Sequence, residues 1–206
     1  MKPEQLEILV RLAASKGYGW KFEHADQVKL LSLKIYEDTS KLGLLDQHEQ
    51  DKEILMAAAL LHDVGRPEEP HNEAAFNMLR EKIPRHLSDD PISEDELATV
   101  LYCILFHRGQ DFSERKGLPL VDPGHSKQLA SIIRIADGLD HGPPFEYQVK
   151  DVAIDIVNGS LVCQVQPSSK EVRERVVRYA KHTTDNKMDL FRQAFGQDMS
   201  FKVLDN

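Results

Sequence analysis

One stretch of the sequence is apolar on every side, and it limits the architectures that are open to the chain. Residues 51–63 have helical spacing and carry the run ILMAAALL, so no face of this helix is polar enough to meet solvent. Such a helix belongs in the centre of a bundle, where other helices surround it. Gly65 and Pro67 then end it. A chain of 206 residues, 41% of them apolar, can bury a core of that size.

Helical periodicity continues on both sides of this segment as far as Gly142. Ser93 and Glu96 have the spacing of a capping box, which marks the start of one of these helices. The further helices of this region are predicted at about residues 3–15, 24–42, 72–81, 93–107 and 126–140. The first part of the chain is therefore predicted to be a helical bundle.

The pattern changes from helical to alternating after residue 144. Three segments alternate apolar and polar residues, as strands do: DVAIDIV (151–157), LVCQVQ (161–166) and MSFKVL (199–204). Asn158 and Gly159 between the first two predict a hairpin with a type I′ turn. Ser168 and Glu171 predict the cap of a helix that runs, with a break, to Phe195.

These patterns predict a mainly α fold with two parts. Residues 1–143 form the helical bundle, and residues 144–206 form a small α+β appendage with a three-stranded antiparallel sheet. A sheet of three strands needs a partner surface for stability. The appendage is therefore expected to cover one side of the bundle or to mediate self-association, with a homodimer left open.

Charge and composition exclude several classes of partner. The formal net charge of −8 argues against nucleic acid, which is normally bound by a basic face. No apolar run approaches the roughly 20 residues that span a bilayer, so no membrane partner is expected. Two cysteines, Cys103 and Cys163, lie in apolar segments and are predicted to be reduced core residues of a cytoplasmic protein.

Histidine and aspartate residues fall repeatedly at the ends of the predicted helices, where a bundle can present polar groups to a shared cavity. An aspartate in the last turn of a helix opposes the helix dipole, which favours a functional role for Asp137. A single histidine is more often a structural or surface residue than a ligand, and the pair after the buried helix could simply cap it. Taken together, six residues are candidate metal ligands: His24, His62, Asp63, His71, His107 and Asp137.

Imidazole and carboxylate groups together predict a mixed nitrogen and oxygen site for one or two divalent ions. Such ligands suit Mn, Fe, Co, Ni or Zn, with Mg²⁺ also compatible, and the lack of thiolates disfavours a structural zinc site. Asp63, beside His62, is placed to bridge two metals. Two metals about 3.5–4 Å apart activate a water and stabilise both the attacking and the leaving oxygen of phosphoryl transfer.

Arginines near these residues could supply the other half of a phosphate site, because a guanidinium binds phosphate oxygens in a bidentate manner. Arg66 and Arg108 are the stronger candidates, and Arg134 has an alternative as a structural partner of Asp137 or Asp140. Asp63, Arg66 and Arg108 are the predicted catalytic residues. The remaining histidines in polar surroundings are predicted to be solvated: His48, His86, His125 and His182.

The order of the predicted ligands resembles that of the HD superfamily of metal-dependent phosphohydrolases. More specific phrases resemble the C-terminal HD region of the exopolyphosphatase and guanosine-pentaphosphatase family: AALLHDVGR (58–66), ILFHRG (104–109), LASIIRIADGLD (129–140) and KMDLFRQAFG (187–196). The resemblance covers about residues 20–206. It implies that His24, His62, Asp63 and Asp137 match the basic metal pattern. His71 and His107 match the two extra histidines of binuclear HD enzymes.

That family carries an actin-like ATPase-fold domain in front, which this sequence does not contain, so polyphosphatase activity is not carried over. The expected function is a metal-dependent phosphohydrolase that acts on a nucleotide or another small phosphate ester through a metal-activated water. The alternative is a non-catalytic accessory module that binds phosphorylated ligands or a partner subunit. The full set of candidate ligands favours the enzyme.

Overall fold

A computed structural model of the chain describes residues 2–15, 22–87, 89, 91–108, 117–141 and 147–205. Within them the fold is mainly helical with a small C-terminal sheet, as predicted. The helices are α1 (Pro3–Ser15), α2 (Phe22–Lys41), α3 (Asp51–Leu61), α4 (His71–His86), α5 (Glu94–Phe106), α6 (Pro123–Leu139), α7 (Arg173–Asn186) and α8 (Met188–Phe195). The strands are β1 (Val149–Val157), β2 (Ser160–Pro167) and β3 (Met199–Val203). No helix in these ranges is both long enough and apolar enough to cross a membrane.

The apolar helix α3 lies in the centre of the bundle, which confirms the prediction from its composition. It contacts α1, α2, α5 and α6, and its side chains from Ala57 to Leu61 are buried. The polar residues that directly follow it, His62 and Asp63, are therefore also buried and lie between the ends of neighbouring helices.

Specific side chains set the starts of the later helices. The capping box before α5 is present: the Ser93 hydroxyl accepts from the Glu96 backbone N–H, and the Glu96 carboxylate accepts from the Ser93 N–H. Helix α6 begins at Pro123, three residues before the predicted start, because the Asp122 carboxylate caps it by accepting from the His125 N–H at 2.9 Å.

The sheet has the predicted three strands, but it is mixed. Strands β1 and β2 form the predicted antiparallel hairpin, with positive φ angles at Asn158 (51°) and Gly159 (79°), as a type I′ turn requires. Strand β3 lies beside β2 in the parallel direction, so the prediction of an antiparallel sheet is wrong at this pair. The connection from β2 to β3 contains α7 and α8, and a parallel pair needs a long crossover of this kind.

The predicted cap at Ser168 and Glu171 is also wrong. Helix α7 starts at Arg173, with Val172 in the cap position and no side-chain cap hydrogen bond. Ser168 instead extends the pairing of β2 with β1, because its N–H donates to the Gln148 carbonyl at 2.8 Å. The predicted break in the helical region is present at Lys187, which separates α7 from α8.

The appendage packs directly on the bundle. Helices α7 and α8 contact α6, and β1 contacts α2. Buried residues of both parts, including Ile135 of α6 and Phe191 of α8, belong to one hydrophobic core. The predicted boundary at residue 143 falls in 142–146, outside the described residues. Cys103 and Cys163 are both buried and free, as predicted.

Of the four histidines that were predicted to be solvated, His48 is exposed, and the side chain of His86 lies outside the described part of the chain. The prediction is wrong for His182, which is partly buried and stacks on His141 with ring centroids 4.1 Å apart. It is also wrong for His125, whose Nε2 lies 2.7 Å from a carboxylate oxygen of the buried Asp51.

The pair of His125 and Asp51 joins the start of α6 to the start of α3. The fold shifts the pKa values of both groups, so the contribution of the pair to stability depends on pH. Burial alone would lower the pKa of His125, but hydrogen bonding to Asp51 and nearby carboxylates raise it. Burial alone would raise the pKa of Asp51, but hydrogen bonds from His125, His48 and Tyr36 lower it. The pair therefore stabilises the fold most between the ordinary pKa values of the two groups, about 4 and 6.5.

We expect His125→Gln to lower the free energy of unfolding by about 2 kcal/mol near pH 5.5, the value of a hydrogen bond between charged groups. This loss should decrease as the pH rises through the raised pKa of His125, because the pair then loses its charge in the wild-type protein. Urea unfolding at several pH values measures the difference. Tyr36→Phe is the matched control, since it removes another donor to Asp51 at 2.8 Å without a group that titrates in this range. Equal pH dependence in both variants would contradict the prediction.

Candidate metal centre

The structure brings all six predicted metal ligands together, and all six are buried. They come from the ends of five helices: His24 from the first turn of α2, His62 and Asp63 from the turn after α3, His71 from the start of α4, His107 from the end of α5, and Asp137 from the last turn of α6. The central position of α3 explains the convergence, because its C-terminal end faces the ends of its neighbours.

Three ligand atoms form the first half of the cluster, here called the His24 group (His24, His62 and Asp137). Nε2 of His24 lies 3.2 Å from Nε2 of His62 and 3.3 Å from Oδ1 of Asp137. Nε2 of His62 lies 3.7 Å from the same oxygen. Two atoms that bind one ion at 2.0–2.2 Å lie about 3.0–3.5 Å apart, so the two spacings at His24 fit a shared metal and the third is slightly longer.

The second half is the His71 group (His71 and His107). The Nε2 atoms of these two imidazoles are 3.2 Å apart. Oδ1 of Asp63 lies 3.0 Å from Nε2 of His71 and 3.9 Å from Nε2 of His107. With Asp63, this group can offer three ligand atoms to an ion of its own.

Asp63 lies between the two groups, and its Oδ1 is within 3.9 Å of an imidazole of each, 3.8 Å from Nε2 of His62 and 3.9 Å from Nε2 of His107. Its Oδ2 is 3.8 Å from Nε2 of His24, and its Oδ1 faces the His71 group. Among the described residues, Oδ1 has no well-aligned hydrogen-bond donor although it is buried. A buried carboxylate oxygen without a hydrogen bond is costly, and a cation would satisfy it. The donor set therefore fits divalent metal on both sides of Asp63.

Hydrogen bonds fix the orientation of two of the imidazoles through the main chain. Nδ1 of His62 lies 2.7 Å from the Ala59 carbonyl, and Nδ1 of His107 lies 2.6 Å from the Ile104 carbonyl. A carbonyl can only accept, so each Nδ1 carries the proton and each Nε2 turns its lone pair toward the cluster. This is the tautomer that binds metal through Nε2.

Side chains orient the other two imidazoles. Nδ1 of His24 donates to Asp140 at 2.8 Å, and this hydrogen bond turns Nε2 toward His62 and Asp137. Nδ1 of His71 lies 3.0 Å from Nη1 of Arg108 and 3.3 Å from a carboxylate oxygen of Glu69. A guanidinium only donates, so metal binding through Nε2 of His71 requires Nδ1 to donate to Glu69 instead.

The cluster is electrostatically prepared for cations. Burial alone would lower the pKa of His24, but hydrogen bonds to Asp137 and Asp140 raise it to about 10. Burial would raise the pKa of Asp63 and Asp137, but the cationic and imidazole groups around them hold it well below the ordinary value. Burial lowers the pKa of His107 well below the ordinary value. Two ionised carboxylates thus attract a proton to His24, and a divalent ion would displace that proton.

The three arginines lie in different places. Nε of Arg66 donates to Oδ2 of Asp63 at 2.8 Å, and Nη1 of Arg108 pairs with Glu69 at 2.7 Å. Both side chains are partly exposed, 43% and 41%, at the edge of the cluster. Arg134 is fully buried and pairs with Asp189 at 2.7 Å. It is therefore a structural residue, as the alternative prediction stated, but its partner is Asp189 and not Asp137 or Asp140.

Reasoning from the sequence missed the role of three further residues. Asp140 and Glu69 orient imidazoles of the cluster, and Lys187 donates to Oδ2 of Asp137 at 2.7 Å. For Asp140 the signal was its position one helical turn after Asp137. Lys187 belongs to the appendage and lies 50 residues after Asp137 in the chain. Its only signal in the sequence was that it begins the segment KMDLFRQAFG (187–196), which resembles the end of the exopolyphosphatase family.

Another group of potential ligands, His48, Asp51 and His125, lies at the opposite end of α3, where that helix begins. Its two imidazole rings stack with centroids 4.0 Å apart and an interplanar angle of 22°. Nitrogen lone pairs lie in the ring planes, and the planes of stacked rings do not meet at a nearby ion. Asp51 also accepts hydrogen bonds from Tyr36 and the His48 N–H. This arrangement suits a structural ion pair better than a metal site.

Comparison with known proteins found one match and one negative result. The family model of the HD domain matches residues 22–142, more than half of the chain and the segment that contains all six clustered residues. No curated protein matches the chain.

Proposed function

The chain belongs to the HD domain family, and from this premise we propose that it is a phosphohydrolase acting on a nucleotide or another small phosphate ester. The family is one of metal-dependent phosphohydrolases, and groups of His and Asp that could hold a metal are present. The observation that carries the proposal is the convergence of four imidazole Nε2 atoms on both sides of the Asp63 carboxylate.

We assign the His24 group and the His71 group as ligands of two divalent ions, with Asp63 shared between them. Nitrogen and oxygen ligands without thiolates suit Mn, Fe, Co, Ni or Zn, with Mg²⁺ also compatible. When bound, such ions supply Lewis acidity and lower the pKa of coordinated water toward neutrality. The chain itself must then hold the substrate phosphate next to the ions. It must also keep Asp63 and Asp137 ionised and the ligand nitrogens of the imidazoles unprotonated.

Arg66 and Arg108 are positioned for the phosphate. Each guanidinium is partly exposed at the edge of the cluster and is held by one carboxylate, from Asp63 and Glu69 respectively. Each retains donors that can turn to phosphate oxygens, and bidentate contacts of this kind orient a phosphoryl group.

A groove beside the cluster offers space for the organic part of the substrate. It has a volume of about 490 Å³ and is lined by Arg66, residues of the turn around it, and the Asn77, Met78 and Glu81 side of α4. Pockets of this size accommodate small ligands. Arg66 lines the groove and also contacts Asp63, so a substrate could place its phosphate at the cluster and its organic group along α4.

We expect demetallated protein to bind two equivalents of Mn²⁺, and His71→Ala to bind one, because only the His71 group loses a ligand. Isothermal titration calorimetry measures both stoichiometries. Asp185→Ala is the control, since Asp185 makes a surface ion pair with Lys181 and lies outside both groups of potential ligands. Saturation of the wild-type protein at one equivalent, with no weaker second event, would contradict a binuclear centre.

The proposed activity is tested with protein purified without chelator. Its metal content is measured first, and phosphorylated metabolites are then screened with Mn²⁺, Co²⁺, Ni²⁺ and Mg²⁺. Turnover of a nucleotide or small phosphate ester supports the enzyme. Metal binding without turnover of any phosphate compound would favour the alternative, an accessory module of the exopolyphosphatase type. The narrower resemblance to that family and a cytoplasmic location stay predictions.

A further inference from the structure

Lys187 brings a buried positive charge from the appendage into the metal centre. It lies between α7 and α8 and is 7% exposed. Its Nζ donates to Oδ2 of Asp137 at 2.7 Å and to the His107 carbonyl at 3.1 Å. One ammonium group therefore contacts a member of the His24 group and a member of the His71 group.

The contact with Asp137 determines which carboxylate oxygen faces the cluster. Lys187 holds Oδ2, and the other oxygen, Oδ1, lies 3.3 Å from Nε2 of His24. A carboxylate held in this way offers a single oxygen in a fixed direction. The ammonium also offsets the unfavourable position of Asp137 in the last turn of α6, where the helix dipole opposes a negative charge.

The contact with the His107 carbonyl acts on the other half of the cluster. His107 follows the last residue of α5, and its ring is already oriented by the Ile104 carbonyl. Binding the main chain at this point fixes the end of α5 relative to Asp137 on α6. One side chain of the appendage thus contacts a ligand residue of each group.

A buried guanidinium holds Lys187 in place. Arg134, fully buried on α6, donates to the carbonyls of Lys187 at 3.2 Å and Asn186 at 3.1 Å, and also pairs with Asp189. It satisfies carbonyls at the end of α7 that have no partner within the helix. The main chain of Lys187 is therefore anchored to the same helix that carries Asp137.

Gly138 makes the close approach of α6 and α7 possible. A Cβ atom at this position would lie 2.6 Å from Oγ1 of Thr183 and 3.1 Å from Cγ of Lys187. Any larger residue would push α7 away from α6. The small residue next to Asp137 thus lets Lys187 reach the cluster.

We propose that Lys187 is a positioning residue through which the appendage sets the geometry of both metal groups, an inference that rests on the proposed function. Burying a lysine costs free energy, and an apolar side chain packed at this place would give the same or greater stability. A role that is only structural therefore does not account for a cation that contacts both groups. Outer partners of metal ligands typically change metal affinity 10–100-fold when they are replaced.

The test compares Mn²⁺ binding by demetallated full-length protein, measured by calorimetry, in the wild type and in Lys187→Met. We expect the affinity of both binding events to fall 10–100-fold. Lys187→Gln, which keeps a donor but no charge, should show the same loss and replaces the methionine variant if that variant does not fold. Val176→Ala is the control for stability, because it removes buried packing from α7 away from the cluster and should leave Mn²⁺ affinity unchanged.

Wild-type affinity in a folded Lys187 variant would overturn the inference and leave the proposed function standing. An equal loss of affinity in Val176→Ala would also overturn it, since general loosening of the appendage would then explain the effect. Wild-type protein that binds no divalent metal would overturn both the proposed function and this inference.

Discussion

Asp63→Asn is expected to lose bound metal and phosphohydrolase activity together, with activity falling more than about 100-fold. Asparagine keeps the shape of the side chain but removes the negative charge between the His24 and His71 groups. The amide nitrogen that replaces one carboxylate oxygen can only donate hydrogen bonds, so it cannot bind an ion in place of that oxygen. Loss of an outer partner already costs 10–100-fold, and loss of the shared ligand should cost more.

Metal content and turnover must be measured on the same sample of this variant. Asp185→Asn is the matched control, since Asp185 makes a surface ion pair with Lys181 on α7 and lies outside the cluster. A bridging carboxylate is held ionised by the cations and is a poor base. If Asp63→Asn retains its full metal content while turnover disappears, Asp63 acts in proton transfer and the assignment as a bridging ligand is wrong.

Deleting residues 150–206 is expected to abolish cooperative folding of the rest of the chain. The deletion uncovers the apolar surfaces of α2 and α6, on which β1, α7 and α8 pack. It also removes Asp189 and the carbonyls that accept from Arg134, leaving a guanidinium in the middle of the core helix α6 without these partners. Asp189 is half-exposed, but the guanidinium is buried, and each hydrogen bond of a charged group contributes about 1.5–3 kcal/mol. Loss of several such bonds removes a large part of the roughly 5–15 kcal/mol stability of a typical domain.

Circular dichroism during thermal unfolding measures this effect on the fragment 1–149, with the full-length protein as reference. We expect a fragment that is insoluble or melts without a cooperative transition. A soluble fragment with a sharp transition would show that the bundle does not depend on the appendage. It would also place residues 1–143 and the appendage in separate folding units, as their sequence patterns suggest.

Local patterns in the sequence were sufficient for most of the helical fold. The apolar run of α3 placed that helix in the centre, and the Ser93 capping box marked the start of α5. Histidines and aspartates at helix ends then indicated the cluster, because the ends of packed helices meet. These inferences depend on neighbours in sequence and on the periodicity of one helix at a time.

Features that depend on distant partners could not be predicted in the same way. Alternation identifies β3 as a strand but carries no information on its direction relative to β2. The pairing of Arg134 with Asp189, and of Lys187 with Asp137, joins residues 50 or more positions apart. Only the packing of α7 and α8 on α6 brings these charges together.

The four imidazoles of the cluster differ in whether a substitution at another residue can change their orientation. His62 and His107 are oriented by carbonyls of their own helices, which persist whatever side chain stands at residues 59 and 104. His24 and His71 depend on the carboxylates of Asp140 and Glu69, which a single substitution can remove. Each group thus contains one imidazole that the main chain orients and one imidazole that a replaceable side chain orients. Selection or design could change the metal preference of either group separately, through Asp140 or through Glu69, without altering a ligand.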